Sequence, residues 1–277
     1  MLMFLCLSVS CSVSGQSSKN CSRIVSLAPS VTEVLFDLTL GERLVGVTRY
    51  CRFPSAAQNV PHIGGVLDVN LEELVNRRPE VLFALKESVL SDGLLNQFGI
   101  KVRRVDHRSV LGIKESYRVI GEACGVMQQA DLRLRELESI ERNAKALCEA
   151  RRAKPLRMMF VVGHIAGGEG IYLSGGDGFY SDIAELLGGV NVHNSKTVAI
   201  PTLSAEGLLA LRPDVIIEVV SPSDPINDDE IRAFWGRLDK ISATKGAKLF
   251  ILREDYASIP GPRYVQLLQR LSTILCE

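Results

Sequence analysis

Asn70-Leu71-Glu72-Glu73-Leu74-Val75-Asn76-Arg77-Arg78-Pro79-Glu80-Val81-Leu82 aligns without gaps on Ser204-Ala205-Glu206-Gly207-Leu208-Leu209-Ala210-Leu211-Arg212-Pro213-Asp214-Val215-Ile216, an offset of 134 residues (72 to 206). Each stretch opens on a residue that caps helices through its side chain and carries a glutamate in the first turn. Each closes on Arg-Pro-acid, where proline ends the helix, and runs into apolar residues that suit a buried strand. One helix-to-strand unit occurring twice in the same order points to two related lobes.

Working outward, short apolar runs alternate with amphipathic ones. Strands are expected at 24–28, 44–48, 81–85 and 101–105, with helices at 70–77, 88–98 and 110–123. Ser30-Val31-Thr32-Glu33 has the pattern of a capping box, in which Ser30 caps a helix and Glu33 reaches back. From Gln128 to Arg152 there is no glycine or proline, and Leu, Ala, Glu and Arg dominate. That stretch reads as one long helix of about seven turns, ended by Pro155. A second series follows, with strands at 157–162, 215–220 and 249–252 and helices near 179–187, 204–211, 227–236 and 262–275. Strands alternating with helices imply parallel sheets. The fold class is therefore α/β, with two lobes of parallel sheet joined by one long α-helix. The divisions are a leader and short linker at 1–21, an N-terminal lobe at 22–124, the helix at 125–154 and a C-terminal lobe at 155–277.

Lys+Arg and Asp+Glu each total 32 in 277 residues, so no global charge favours nucleic acid or an anionic membrane surface. Met1 to Val13 is apolar but too short to span a bilayer, and the polar run Ser14 to Asn20 follows. This suits an export signal, although the usual basic flank is missing. Leu7-Ser8-Val9-Ser10-Cys11 resembles a loose lipoprotein cleavage box with Cys11 as the lipidated residue. The alternative is a non-lipidated signal cut near Gly15. The expected location is outside the cytoplasm, periplasmic or lipid-anchored at the membrane surface. Cys21, Cys51, Cys124, Cys148 and Cys276 remain after processing, without C-x-x-C or metal spacing. Five is odd, so at least one is free or pairs between molecules, and a buried thiol is the default for each.

No catalytic constellation is present. His62, His107, His164 and His193 form no H-E-x-x-H pattern, and there is no G-x-S-x-G elbow or phosphate-binding P-loop. The glycine-rich run Gly163 to Gly178 carries Glu169 and Asp177, which would repel phosphate, and reads as a loop at a cleft edge. The chain is not expected to be an enzyme.

Arg23-Ile24-Val25-Ser26-Leu27-Ala28-Pro29-Ser30-Val31-Thr32-Glu33, Leu44-Val45-Gly46-Val47-Thr48-Arg49-Tyr50-Cys51, Val69-Asn70-Leu71-Glu72 and Arg78-Pro79-Glu80-Val81 resemble successive blocks of one family. Leu186-Leu187-Gly188-Gly189-Val190-Asn191-Val192 and Pro260-Gly261-Pro262-Arg263 are similar to its later blocks. The family is the periplasmic cobalamin and ferric-siderophore binding proteins of ABC importers, of the helical-backbone class, and the resemblance is strongest to its cobalamin-binding members. It implies two Rossmann-like lobes bridged by the long helix, and a monomer that binds its ligand between them and delivers it to an ABC permease with its ATPase, with no cofactor of its own and no nucleic-acid partner. By resemblance, the ligand-binding positions are Tyr50, Val66, Leu85, Tyr172, Ile200, Asp255 and Tyr256, and the permease-docking pair is Glu72 and Glu206. Val66, Leu85 and Ile200 are aliphatic where the best-matched cobalamin binders carry aromatic residues. His164 follows a strand and is placed to face the cleft, where a hydrogen-bonding or structural role outweighs ligation of cobalt or haem iron. Arg49, Arg52 and Arg263 would suit an anionic ferric siderophore, which with haem is the alternative ligand.

Overall fold

The computed structural model describes residues 21–151, 154–164, 170–204, 207–208, 210–239 and 246–276. The leader with Cys6 and Cys11, Glu169 and Glu206 lie outside them. The first lobe runs β1 (Ile24–Ser26), α1 (Pro29–Asp37), β2 (Leu44–Val47), α2 (Leu71–Asn76), β3 (Val81–Leu85), α3 (Asp92–Gln97), β4 (Lys101–Val105) and α4 (Val110–Cys124). Its four strands are all parallel, in the order β2-β1-β3-β4. Burial on both faces explains why β1, β2 and β3 read as apolar runs, whereas the edge strand β4 exposes Lys101 and Arg103.

Helix α5 (Met127–Glu149) follows and is about 35 Å long at 1.5 Å per residue. Its buried positions are Ala130, Leu134, Leu137, Glu141, Ala144 and Cys148, alternating steps of four and three that keep one stripe against the protein. Glu141 in that stripe is satisfied by Lys114 from α4 at 3.0 Å and by the Tyr264 hydroxyl, which donates at 2.6 Å.

The second lobe contains β5 (Leu156–His164), β6 (Gly170–Leu173), α6 (Phe179–Leu186), β7 (Gly189–Asn191), β8 (Thr202–Ser204), β9 (Val215–Val219), α7 (Asp228–Asp239), β10 (Lys248–Leu252), α8 (Asp255–Ser258) and α9 (Tyr264–Cys276). Strands β7, β9 and β10 form the parallel part with β5. The sheet is then extended by β6 and β8, which run antiparallel. Strand β6 was not legible in the glycine-rich stretch, where Gly163 and Gly170 to Leu173 prove to be strand rather than loop, and β8 lies at Thr202–Ser204, where no strand was expected.

The internal repeat extends beyond the aligned segment. Arg78 and Arg212 both adopt left-handed backbone, at φ 46° and 43°, an uncommon choice for residues with side chains. Arg23 Nε donates to the carbonyls of Arg77 and Arg78, each at 3.1 Å. Arg157, 134 residues later, donates to those of Leu211 and Arg212 at 2.7 and 3.1 Å. Each guanidinium thus satisfies carbonyls that have no partner within a helix end. At the other end of the unit, Asn70 accepts from the Glu73 amide and Ser204 from the Gly207 amide.

Two expectations are corrected here. Ser30 and Glu33 form no capping box. Helix α1 starts at Pro29, whose missing N–H needs no partner, with Ala28 at the cap. Ser30 instead bonds His107 and Glu33 bonds Arg263. The cysteines are also not buried thiols by default: Cys21 pairs with Cys124 and Cys148 with Cys276, leaving Cys51 free and buried. Burial pushes the Cys51 thiol up, which makes it a poor nucleophile.

Candidate functional site

Parallel strands deliver their following loops to one edge of a sheet, and the loops of both lobes meet at a cavity of about 620 Å³. From the first lobe come Pro29 and Glu33 after β1, and Tyr50, Arg52 and Phe53 after β2. From the second come Val162 on β5, Val219 and Ser221 to Ser223 at and beyond the end of β9, Asp255, Ser258, Ile259 and Arg263 after β10, and Tyr180.

The floor is an ion cluster that joins the lobes. Arg263 donates to Glu33 at 2.7 Å and to both oxygens of Asp255 at 2.6 and 2.9 Å. The Phe53 ring covers the guanidinium, 4.1 Å from its centroid. Gly261 makes this approach feasible, since a β-carbon there would lie 2.9 Å from that of Ser30. Behind the floor, Ser30 meets His107 Nδ1 at 2.8 Å, and Asp182 of α6 accepts from the Val110 amide at 2.7 Å. The lobes are therefore hydrogen-bonded to each other through α1 and α4.

Burial sets the protonation of this floor. It pushes the Glu33 carboxyl up to about 7 although Arg263 opposes the shift, and pushes His107 down to about 4. The hydrogen bonds from Arg263 hold Asp255 below the usual carboxylate range. The two buried groups pull stability in opposite directions. Folded Glu33 keeps a proton between pH 4.5 and 7 that the unfolded chain releases, so its contribution falls as pH rises through that window. Unfolded His107 holds a proton between about pH 4 and 6.5 that the folded form excludes, so its contribution falls as pH drops. Each is worth up to about 3 kcal/mol. Glu33→Gln, which still accepts from Arg263, is therefore expected to expose the His107 effect. Its urea midpoint should drop between pH 6.5 and 4.5 far more than that of the wild type. Equal slopes in the two proteins would contradict this.

Of the residues expected to bind ligand, Tyr50 and Asp255 line the cavity. Tyr50 is half-exposed there, with Arg49 against its ring. Val66, Leu85, Tyr172, Ile200 and Tyr256 are not among the lining residues. Val66, Tyr172 and Ile200 are exposed, whereas Leu85 and Tyr256 are half-buried and pack on the core. The sequence reading passed over Phe53 and Tyr180 as cavity residues. Tyr180 donates its hydroxyl to the Ala257 carbonyl at 2.8 Å. Glu72 is exposed in the first turn of α2, and Glu206 lies outside the described residues.

His164 does not face the cavity, contrary to expectation. A register shift between Val161 and Gly163 turns it to the other side of β5 from Val162. There its Nε2 meets Glu218 at 2.7 Å, its ring meets Phe234 edge-on, and Trp235 donates to the second Glu218 oxygen at 2.9 Å. Among the described residues, no three His, Cys, Asp or Glu side chains are grouped to hold a metal ion.

Comparison with known proteins gives a consistent result. The family described as periplasmic binding protein matches residues 24–256. YvrC, an ABC transporter substrate-binding lipoprotein of Bacillus subtilis strain 168, is 26% identical over 263 residues, covering 92% of this chain and 80% of that protein. The vitamin B12-binding protein of Photorhabdus laumondii is 25% identical over 256 residues, covering 90% and 88%. Among solved structures, the periplasmic haem-binding protein HutB of Vibrio cholerae superposes with a TM-score of 0.78 at 23% identity, covering 92% of this chain and 99% of HutB. The vitamin B12-binding protein BtuF of the same species gives 0.72 at 21%, covering 92% and 96%. These likenesses show the two-lobed fold. The family match takes in most of both lobes and the cavity loops as far as Asp255, so the chain belongs to the periplasmic binding protein family and is a solute-binding protein, not an enzyme.

Proposed function

We propose that this protein binds cobalamin or a related corrinoid between its lobes, outside the cytoplasm, and delivers it to an ABC permease. The observation that carries the reading is how the arginines around the cavity are used. Arg49 is paired with Asp68 at 2.6 Å, and Arg263 is held by two carboxylates. A ferric siderophore or another multiply charged anion would meet little free positive charge here. A corrinoid needs apolar and aromatic surface for its macrocycle and polar groups for its amide fringe, and the exposed rings of Tyr50 and Phe53 supply the former.

A corrin with its nucleotide is larger than the cavity, so part of it would rest on the rim. Val66, Tyr172 and Ile200 are the exposed apolar groups that resemblance assigns to that role, with Leu85, Asp255 and Tyr256 closer to the core. Several relatives that cover most of the chain are vitamin B12-binding proteins, which supports the same choice. The two disulfides are of a kind that persists in oxidising compartments, in keeping with export. A lipid on Cys11 is part of this reading, as YvrC is a lipoprotein by name. Docking through Glu72 and Glu206 would place one acid per lobe against the permease and aid orientation more than affinity. No resident cofactor is required.

Calorimetric titration with cyanocobalamin, haemin and a ferric-siderophore panel tests the ligand. One-to-one cobalamin binding is expected. Tyr50→Ala should weaken it by about 1.5–3 kcal/mol, roughly tenfold to a hundredfold, through lost aromatic contact. A haem reading draws on the same phenol as an iron ligand. Binding of haemin alone, or of a siderophore alone, would overturn the corrinoid assignment and leave the solute-binding class intact.

A further inference from the structure

We infer that Arg52 and the Ser221–Ser223 turn form a subsite for one anionic group, the phosphodiester in the nucleotide loop of a corrinoid. The inference rests on the corrinoid reading of this cavity and adds which part of the ligand is recognised where. Arg52 lines the cavity from the first lobe and, unlike Arg49 and Arg263, makes no ion pair among the described residues. From the second lobe, the turn after β9 brings two hydroxyls to the same cavity. Ser221 Oγ and Ser223 Oγ are 2.9 Å apart, and the Ser223 amide donates to Ser221 Oγ at 3.4 Å.

The neighbouring acid, Asp224, is turned to the Ile226 amide at 3.0 Å and is not among the residues lining the cavity. A guanidinium without an ion-pair partner and two paired hydroxyls, lining one cavity from opposite lobes, match a phosphodiester, whose non-bridging oxygens accept several hydrogen bonds at once. The rest of the cavity limits the count. Arg263 is already held by Glu33 and Asp255, so a second anionic group would meet no unpaired cation there. Cyanocobalamin fits this pattern, since its phosphodiester is its one free anionic group. A haem, with two carboxylates, and a polyanionic siderophore do not.

The test compares cyanocobalamin with dicyanocobinamide, which keeps the corrin and lacks the nucleotide loop. Both are titrated into the mature protein, the Arg52→Gln and Arg52→Lys variants and the double variant Ser221→Ala/Ser223→Ala. Arg52 is exposed, so folding should be unaffected, and unchanged melting temperatures would confirm it. Cyanocobalamin affinity is expected to fall about tenfold or more in Arg52→Gln, to recover partly in Arg52→Lys, and to fall severalfold in the serine variant. Dicyanocobinamide affinity should move less than twofold throughout. Cyanocobalamin binding in the wild type should also weaken with added salt more than cobinamide binding does. Equal losses for both corrinoids in Arg52→Gln, or no loss for either, would overturn the subsite while leaving the corrinoid reading standing. Failure of both corrinoids to bind the wild type would overturn the ligand assignment and the subsite together.

Discussion

Alanine at position 263 is expected to lower the free energy of unfolding by about 3–5 kcal/mol, the usual cost of removing one member of a buried ion pair. Arg263 is only 7% exposed, and its guanidinium makes three hydrogen bonds to Glu33 and Asp255 beneath the Phe53 ring. Glu33 is more deeply buried than Arg263 and sits where burial already drives its carboxyl up to about 7. Without the arginine nothing stabilises its charge, so the folded form would hold the proton more firmly still. The variant should therefore be weaker at pH 8 than at pH 6, because keeping Glu33 neutral becomes harder as pH rises. Urea midpoints at the two pH values measure this. A loss below about 1 kcal/mol at pH 8 would mean that solvent screens the cluster as it screens a surface pair. A triple replacement, Arg263→Met with Glu33→Leu and Asp255→Asn, should recover much of the loss, because it removes the buried charges together. Arg263 also reaches across the cavity floor from the second lobe to the first. Its loss should reduce ligand affinity even when the variant is folded.

Architecture was legible because it follows from local pattern. Alternating apolar runs, the uninterrupted helix before Pro155 and the Arg-Pro repeat each depend on neighbours within a dozen residues. The gap-free match from Asn70 to Leu82 even located the two arginines in left-handed backbone, Arg78 and Arg212, though nothing local revealed that conformation. What was lost depends on partners far apart in the chain. Glu33 has the spacing of a capping glutamate, yet its side chain binds Arg263, 230 positions away. His164 was expected just after a strand; it is instead the last residue of β5, where one irregular pairing rotates it out of the cavity. Cysteine pairing was illegible for the same reason, since spacing alone leaves many connectivities open. At the site, Tyr50 and Asp255 were found through resemblance and line the cavity. Phe53 carried no signal because its role is to cover a guanidinium supplied by the other lobe.

Replacing Cys148 and Cys276 by serine is expected to cost about 3–5 kcal/mol, since their bond closes a loop of 128 residues and constrains the unfolded chain over almost half its length. Part of the native contact would survive. Leu267, Leu268 and Leu271 of α9 are fully buried, and Tyr264 still donates to Glu141 of α5. The loss should therefore come from the unfolded state and from fraying of the last turn of α9, not from collapse of the second lobe. Cys21–Cys124 spans 103 residues and ties the start of the first lobe to the end of α4, just before α5 begins. The long helix thus carries one covalent link, from Cys148 near its end to α9, and starts directly after the bond that closes the first lobe. Thermal melting with and without reductant separates the contributions. The wild type should lose more than 10 °C on reduction, given that a domain of this size shifts by about 2–4 °C per kcal/mol. The Cys148→Ser/Cys276→Ser protein should start lower and respond less, because only Cys21–Cys124 remains to be reduced. If reductant leaves the wild-type melting temperature unchanged, the bonds do not constrain the unfolded chain and the prediction fails. If it does shift, α5 is tied covalently to the second lobe through Cys148–Cys276, while Cys21–Cys124 stiffens the first lobe just before the helix begins. Lobe closure around a ligand should then be small in the oxidised protein and larger after reduction, measurable as the change in radius of gyration on ligand binding.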